Sequence, residues 1–431
     1  MFKDAYDCVV IGGGPAGATT ATLVAREGFR TLLVEREKFP RFHIGESLMP
    51  ETYWTFKRLG MLPKLRNSDF VKKYSVQFVT ASGRESQPFF FDDFNPHECS
   101  QTWQVLRSEF DRMMLDNARE NGVEVLEQTN VNEVLFEGDG PMLQRRAVGV
   151  KMTPRGGGES RSVGASVVVD ATGANALLSR RLGIRQPDPK LRKASIFAHY
   201  AGARRDSGKN QGATLVLSVK DQEGWFWFIP LPGDVTSIGI VANIDYLISG
   251  RGAPEQVLEE EIAKCPGLTD RMASARRISP VHVLSDFSYR ASQCAGDGWV
   301  LVGDAFGFLD PMYSSGVFLA LRSGEMAADA IVAALRAGDT SGARLGAWGD
   351  ELSGGMQAIR KLVYAFYTKG FSFGGFVRDN PTEKKNLVDL LIGNVFNPHT
   401  HDIFESMRDR VDVPESIPLR KPQPALQPTT A

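Results

Sequence analysis

Apolar residues along this chain fall into two rhythms. Near the N-terminus, Cys8-Val9-Val10-Ile11 and Thr31-Leu32-Leu33-Val34 are short unbroken apolar runs, the pattern of strands buried on both faces of a parallel sheet. Between them Ala16 to Glu27 is Ala-rich and is followed by Gly28, which predicts a helix and its end. Strand, helix and strand make a β-α-β unit. The rhythm then changes. Segments 75–79, 87–91, 195–201, 213–219, 224–230 and 236–242 are short, β-branched or aromatic, and set apart by turn residues, predicting one largely antiparallel sheet. In Gly224-Trp225-Phe226-Trp227-Phe228-Ile229-Pro230 the alternation of a strand puts Trp225, Trp227 and Ile229 on one face and Phe226 and Phe228 on the other. Pro230, which cannot donate to a ladder, ends that strand or sits at its edge.

Residues 107–121 show helical spacing through Phe110, Met113, Met114 and Ala118. Residues 148–152 and 163–169 flank a Pro-Arg-Gly-Gly-Gly connection and predict a hairpin, while 166–170 and 299–302 return to the first sheet. A long Ala-rich helix is expected from Gly316 to Leu335, and a second amphipathic one from Leu345 to Phe366. The expected fold is α/β. A Rossmann-like nucleotide-binding domain (1–70, 105–185, 285–340) carries an inserted, largely antiparallel β-sheet substrate domain (71–104, 186–284) and a helical C-terminal region (341–412). A tail over 413–431, with prolines at 414, 418, 422, 424 and 428, is expected to be disordered.

Composition narrows the functions. A chain of 431 residues exceeds one ordinary core, in keeping with two units. Fifty basic and 51 acidic residues leave a net charge of -1, which argues against a nucleic-acid surface. The four cysteines form no C-x-x-C pair and read as small buried hydrophobes, and the six histidines show no ligand spacing, so no metal is expected. His399 and His401 fall in a polar stretch that reads as a solvated loop. The polar start predicts no signal peptide, no run is long enough for a membrane span, and the chain reads as cytoplasmic.

In Gly12-x-Gly14-x-x-Gly17 the first glycine permits a tight turn, the second lets backbone approach a pyrophosphate, and the third lets helix and strand pack closely. The helix N-terminus, starting around Ala16, then offers N–H groups to phosphates. Glu35, 18 residues after Gly17 at the end of the second strand, is placed to accept from ribose hydroxyls. Asp170-Ala171-Thr172-Gly173 and Gly303-Asp304 each end a further strand in a small turn, and Asp304 is placed to bind a ribityl chain. These two segments choose FAD over NAD.

Those three motifs together resemble the p-hydroxybenzoate hydroxylase-like class of FAD enzymes. Within it, Phe39-Pro40-Arg41-x-x-x-Gly45-Glu46-Ser47, Trp225-x-Trp227-x-Ile229-Pro230 and Asp310-Pro311-x-x-Ser314-Ser315-Gly316-Val317 resemble flavin-dependent halogenases, over about residues 5 to 335. The Trp-x-Trp-x-Ile-Pro stretch is that family's specific mark. The others are shared with hydroxylases and geranylgeranyl reductases, so an FAD monooxygenase or a reductase of prenyl-type double bonds is the alternative. A flavin-binding protein without turnover is a third.

The resemblance implies a two-component enzyme in which FADH₂, O₂ and chloride or bromide yield hypohalous acid, which halogenates an electron-rich aromatic. No second nucleotide motif is present, so FADH₂ comes from a separate NAD(P)H flavin reductase. It further implies cofactor contacts from Arg41, Ser47, Arg107, Asp170, Gly173 and Gly316. Halide is expected at the backbone N–H groups of Ser315 and Gly316. The family's lysine motif matches Lys73-Tyr74-Ser75-Val76-Gln77-Phe78, making Lys73 the residue that holds the oxidant, by hydrogen bond or as a haloamine. Lys72 points to the opposite face, and two lysines at a strand end also suit a solvated edge. Trp225 and Trp227 are expected to shape the active site and keep organic substrate from the flavin. Where tryptophan-type halogenases carry a glutamate, this chain has Tyr313. That favours the branch acting on phenols or pyrroles, often on an acyl or peptidyl carrier protein.

Overall fold

A computed structural model describes residues 4–220, 223–412, 414–415 and 417–421. The apolar runs of the first rhythm form one sheet ordered Ala295–Gly296, Trp299–Leu301, Arg161–Asp170, Ala5–Ile11, Thr31–Val34 and Glu124–Leu126. Its centre is parallel: Cys8 to Ile11 pair with Thr31 to Val34 on one side and with Val167 to Asp170 on the other. A hairpin of Thr129–Glu137 and Arg146–Pro154 extends it at Arg161–Asp170. The helices Pro15–Arg26 and Ser315–Ala337 pack together, the Gly324 backbone lying close against Thr20, whose hydroxyl donates to the Gly324 carbonyl at 3.1 Å. The core includes Val9, Leu33, Val168 and Trp299, all out of contact with water.

The second rhythm forms a separate sheet. Its order is Arg276–Arg277, Lys193–Ala201, Val235–Asn243, Gly224–Pro230, Thr214–Ser218, Ser75–Val79 and Phe89–Phe90. All its pairings are antiparallel except Thr214–Ser218 with Ser75–Val79. The aromatic strand divides between two cores as alternation requires. Phe226 and Phe228 join Ile238, Ile240 and Leu268 on one face, while Trp225, Trp227 and Ile229 join Phe197 and Met312 on the other. Pro230 is the last residue of its strand.

The expected strand over 87–91 is only Phe89–Phe90, followed by a turn of 3₁₀ helix at Phe91–Asp93. The turn directs Phe91 inward, against Val388 and Ile392 of the helix Lys384–Ile392. Thr129–Glu137 mixes polar with apolar positions and so carries little strand signal, and its register against Arg146–Pro154 slips twice. The proline-rich tail, expected to be disordered, is held as far as it is described. Arg420 N–H donates to Ser292 O at 2.8 Å, Arg290 reaches the Pro418 carbonyl at 3.5 Å, and Leu419 packs on the main core. Backbone and arginine donors here meet surfaces that composition does not reveal. Residues 422–431, with the rest of that expectation, lie outside the described residues. Among the described residues no helix is long and apolar enough to cross a membrane.

Candidate active site

The three glycines differ in what a side chain would meet. A Cβ at Gly12, whose φ is +106°, would lie 2.4 Å from Ala171 O, and one at Gly17 would lie 2.0 Å from Gly12 O. Both are required for the turn and for helix–strand contact. A Cβ at Gly14 would meet only Arg41 Nη2, at 3.7 Å, so the middle glycine borders open space beside a guanidinium. No side chain caps the helix that Gly14 begins, and Ala16 lies buried in its first turn. Glu35 closes the turn from below, accepting from Gly13 N at 2.7 Å and Glu37 N at 2.8 Å. Those bonds leave lone pairs on each oxygen for ribose hydroxyls.

Asp304 stands in the turn after Trp299–Leu301, and its carboxylate makes no hydrogen bond among the described residues. Burial pushes its pKa up to about 6. A half-buried carboxylate with no donor inside the protein is free to accept one from a ligand. With the open space at Gly14, it makes the residues present fit a dinucleotide with a polyhydroxy chain. The oxygens of Asp170 accept from Thr172 N at 3.0 Å and Leu178 N at 2.7 Å, and the side chain is fully buried. Both bonds tie it to the turn that follows its strand. Gly173 sits half-buried beyond it.

Arg41 and Arg107 converge on Asp111, Arg41 at 3.0 Å and Arg107 through two parallel bonds of 2.7 and 2.9 Å. Arg107 also donates to the Ile44 carbonyl at 2.5 Å. It thus fastens the Phe39–Ser47 segment to the helix Arg107–Glu120. A Cβ at Gly45 would meet Arg107 Nη1 at 3.0 Å and Val317 Cγ2 at 3.9 Å, so this segment also passes the start of the long helix.

That helix begins at Ser315, after Ser314 with φ +57°, and no side chain caps it. The N–H groups of its first turn have no partner within the helix. Ser315 is buried and Gly316 half-buried, with Phe308 3.1 Å from where a Gly316 Cβ would be. Just upstream, Asp310 caps the turn Pro311–Tyr313 by accepting from Met312 N at 2.9 Å. Tyr313 OH donates to Leu362 O at 3.1 Å.

Lys73 ends the strand Val71–Lys73, which pairs with Thr102–Gln104. Its side chain is 2% exposed, whereas Lys72 faces solvent, so the two lysines divide as alternation predicts. Lys73 Nζ donates to Ser47 Oγ at 2.9 Å and Leu48 O at 3.1 Å and lies 5.5 Å over the Phe91 ring. Burial lowers its pKa to about 7. Ser47, expected at the cofactor, is also the hydroxyl partner of Lys73 and of Thr214 Oγ1, 2.9 Å away. One cavity is lined by Lys73 and Phe91 together with Met312, Tyr313 and Ser314.

The two indoles differ. Trp227 Nε1 donates within the sheet, to Ser237 Oγ at 3.1 Å, while Trp225 Nε1 leaves it for Tyr367 OH at 2.9 Å. Sequence reasoning also passed over a buried pair, His199 Nε2 and Glu46 Oε1 at 2.6 Å. Glu46 stood inside a quoted motif, but nothing in the sequence pairs it with a strand 153 residues away. All four cysteines are buried and free. Among the described residues no group of three His, Cys, Asp or Glu is arranged to hold a metal ion.

Comparison with known proteins agrees with this geometry. Residues 5–353 match the FAD binding domain family. The chain is 30% identical over 438 residues to a 1H-pyrrole-2-carbonyl peptidyl-carrier protein chlorinase of Pseudomonas fluorescens, covering 97% of this chain and 96% of that one. It is 34% identical over 401 residues to the corresponding brominase of Pseudoalteromonas luteoviolacea, covering 92% and 93%. Among solved structures, the flavin-dependent brominase Bmp2 superposes with a TM-score of 0.82 at 32% identity, over 94% of this chain and 100% of that one. The myxobacterial chondrochloren halogenase does so with 0.78 at 30% identity, over 94% and 98%. With its dinucleotide cradle, buried lysine and paired tryptophans, the chain belongs to the FAD-binding flavoproteins and, within them, to the flavin-dependent halogenases.

Proposed function

We propose that this halogenase acts on a pyrrole- or phenol-type ring carried by a peptidyl or acyl carrier protein, with Lys73 delivering the halogen. The observation that carries this reading is the shared cavity. Lys73 and the residues that lead into the long helix, Tyr313 and Ser314, line one space, which gives an oxidant made at the helix end a path to the amine. Two relatives act, by their names, on pyrrole-2-carbonyl groups of a carrier protein. Tyr313, a phenol with its hydroxyl tied to Leu362 O, gives the cavity an aromatic wall and no carboxylate at this position.

Reduced FAD, when bound, supplies the two electrons and two protons that, with one further proton, convert O₂ and halide to hypohalous acid and water. In this reading Gly12, Gly14, Gly17, Glu35 and Asp304 hold it, with Arg41 beside the pyrophosphate. The N–H groups of Ser315 and Gly316, at the positive end of a 23-residue helix, hold the halide. A separate reductase supplies the reduced flavin, which suits a cytoplasmic setting where NAD(P)H is available. Lys73, near pH 7, is present both as ammonium and as free amine. The ammonium donates to the oxygen of hypohalous acid, and the amine attacks its halogen and releases water. Either way an electrophilic halogen stands beside the ring. Ser47 and the Leu48 carbonyl fix Nζ for that task.

The test is Lys73→Ala with FADH₂, O₂ and bromide. Flavin oxidation is expected to continue while brominated product disappears. Product retained in Lys73→Ala but lost in Lys72→Ala moves the role one residue back, and retention in both overturns the lysine mechanism.

A further inference from the structure

Trp225 is fastened to the loop before the long helix through a single hydroxyl. Trp225 Nε1 donates to Tyr367 OH at 2.9 Å, and Tyr367 OH donates to Asp310 Oδ2 at 3.1 Å. The other oxygen of Asp310 accepts Met312 N at 2.9 Å and so starts the turn that delivers Ser314 and Ser315. Lys193 Nζ covers the Tyr367 ring at 3.6 Å and donates to Asn243 Oδ1 at 2.8 Å. Tyr367 is the last residue of the helix Gly349–Tyr367, beyond the residues that match the FAD binding domain family. One hydroxyl therefore joins the tryptophan strand, the C-terminal helix and the loop that ends in the helix N-terminus.

We infer that Tyr367 is a positioning residue for the halide site, holding the Asp310–Gly316 loop against Trp225 so that the N–H groups of Ser315 and Gly316 keep a fixed aim. The inference rests on the proposal that those groups bind halide. It gives the two tryptophans different tasks. Trp225 is an anchor acting through its N–H, and Trp227, satisfied inside its own sheet, is a wall. Without the Tyr367 hydroxyl, the Trp225 N–H and Asp310 Oδ2, both buried, lose their shared partner, and the loop relaxes to find others. Asp310 is also held from Lys193, whose positive charge faces it, and its pKa is raised by burial to about 6. Backbone donors at a helix end bind an anion only when they converge, so relaxation weakens halide binding before it weakens anything else.

The experiment measures the apparent KM for bromide, kcat and the dissociation constant for FAD in the full-length protein carrying Tyr367→Phe. Bromide KM is expected to rise about tenfold, with FAD affinity and the rate of flavin oxidation within about twofold of the parent. Trp225→Phe, which keeps a ring but removes the N–H, is expected to reproduce the shift. The double variant is expected to add nothing further, since both changes break one connection. If Tyr367→Phe does not fold, the Trp225→Phe pair of measurements decides alone. An unchanged bromide KM in both variants overturns the inference. Ser315→Pro separates the two levels: if it raises bromide KM while Tyr367→Phe does not, only the anchoring role is wrong. If Ser315→Pro also has no effect, the halide reading fails and the inference falls with it.

Discussion

Replacing Lys73 by methionine is expected to make the protein more stable at neutral pH while abolishing halogenation. An ordinary lysine titrates near 10.5, and burial lowers Lys73 to about 7. Between those values the unfolded chain binds the proton and the folded protein does not, so the wild type gains stability as pH rises through that window. The protonation penalty in the fold is about 4 kcal/mol at pH 7 and about 2 kcal/mol at pH 9, from the two pKa values. Methionine removes it at both. The bonds to Ser47 Oγ and Leu48 O are also lost, at about 1 kcal/mol each and with little dependence on pH. The net gain is therefore about 2 kcal/mol at pH 7 and about zero at pH 9. Urea denaturation of the parent and Lys73→Met at the two pH values measures it. A stability difference that does not change between pH 7 and 9 would refute the reasoning, because it would mean that Lys73 titrates as an exposed lysine does.

Three further outcomes follow from the cofactor cradle and the turn beneath it. Replacing Gly14 by a bulky residue is expected to abolish FAD binding, read by flavin fluorescence, because a side chain would fill the open space beside Arg41. Gly17→Ala puts a methyl 2.0 Å from Gly12 O and is expected to cost roughly 1–3 kcal/mol in urea denaturation, the usual penalty of overpacking. Asp304→Asn is expected to weaken FAD binding yet stabilise the flavin-free protein at pH 7, by at most about 3 kcal/mol. The sign follows from its raised pKa: the fold holds the proton more tightly than the unfolded chain between about pH 4 and 6, so its ionised form is disfavoured above that window. Stability curves of parent and variant that coincide at pH 7 would exclude a desolvated carboxylate.

What could be read in the sequence was whatever is local. The buried runs at residues 8–11 and 31–34, the alternation of Trp225 and Trp227 with Phe226 and Phe228, and the opposite exposures of Lys72 and Lys73 all follow from one strand's geometry. The need for glycine at 17 is local too, since a Cβ there would meet Gly12 O. What the sequence hid are contacts that only tertiary packing makes. Ser47 lies 26 residues from Lys73, His199 lies 153 from Glu46, and Tyr367 lies 142 from Trp225. At Asp170 the partners inside the protein were hidden in the same way: Thr172 and Leu178 each donate a backbone N–H to one of its oxygens.

The most direct test of the account supplies the protein with FAD, a flavin reductase, NADH, O₂ and a pyrrole-2-carbonyl carrier protein, with and without bromide, and reads the carrier by mass spectrometry. The account predicts brominated pyrrole only when bromide is present, with hydrogen peroxide and unmodified carrier when it is absent. An oxygenated product formed equally well without halide would contradict it.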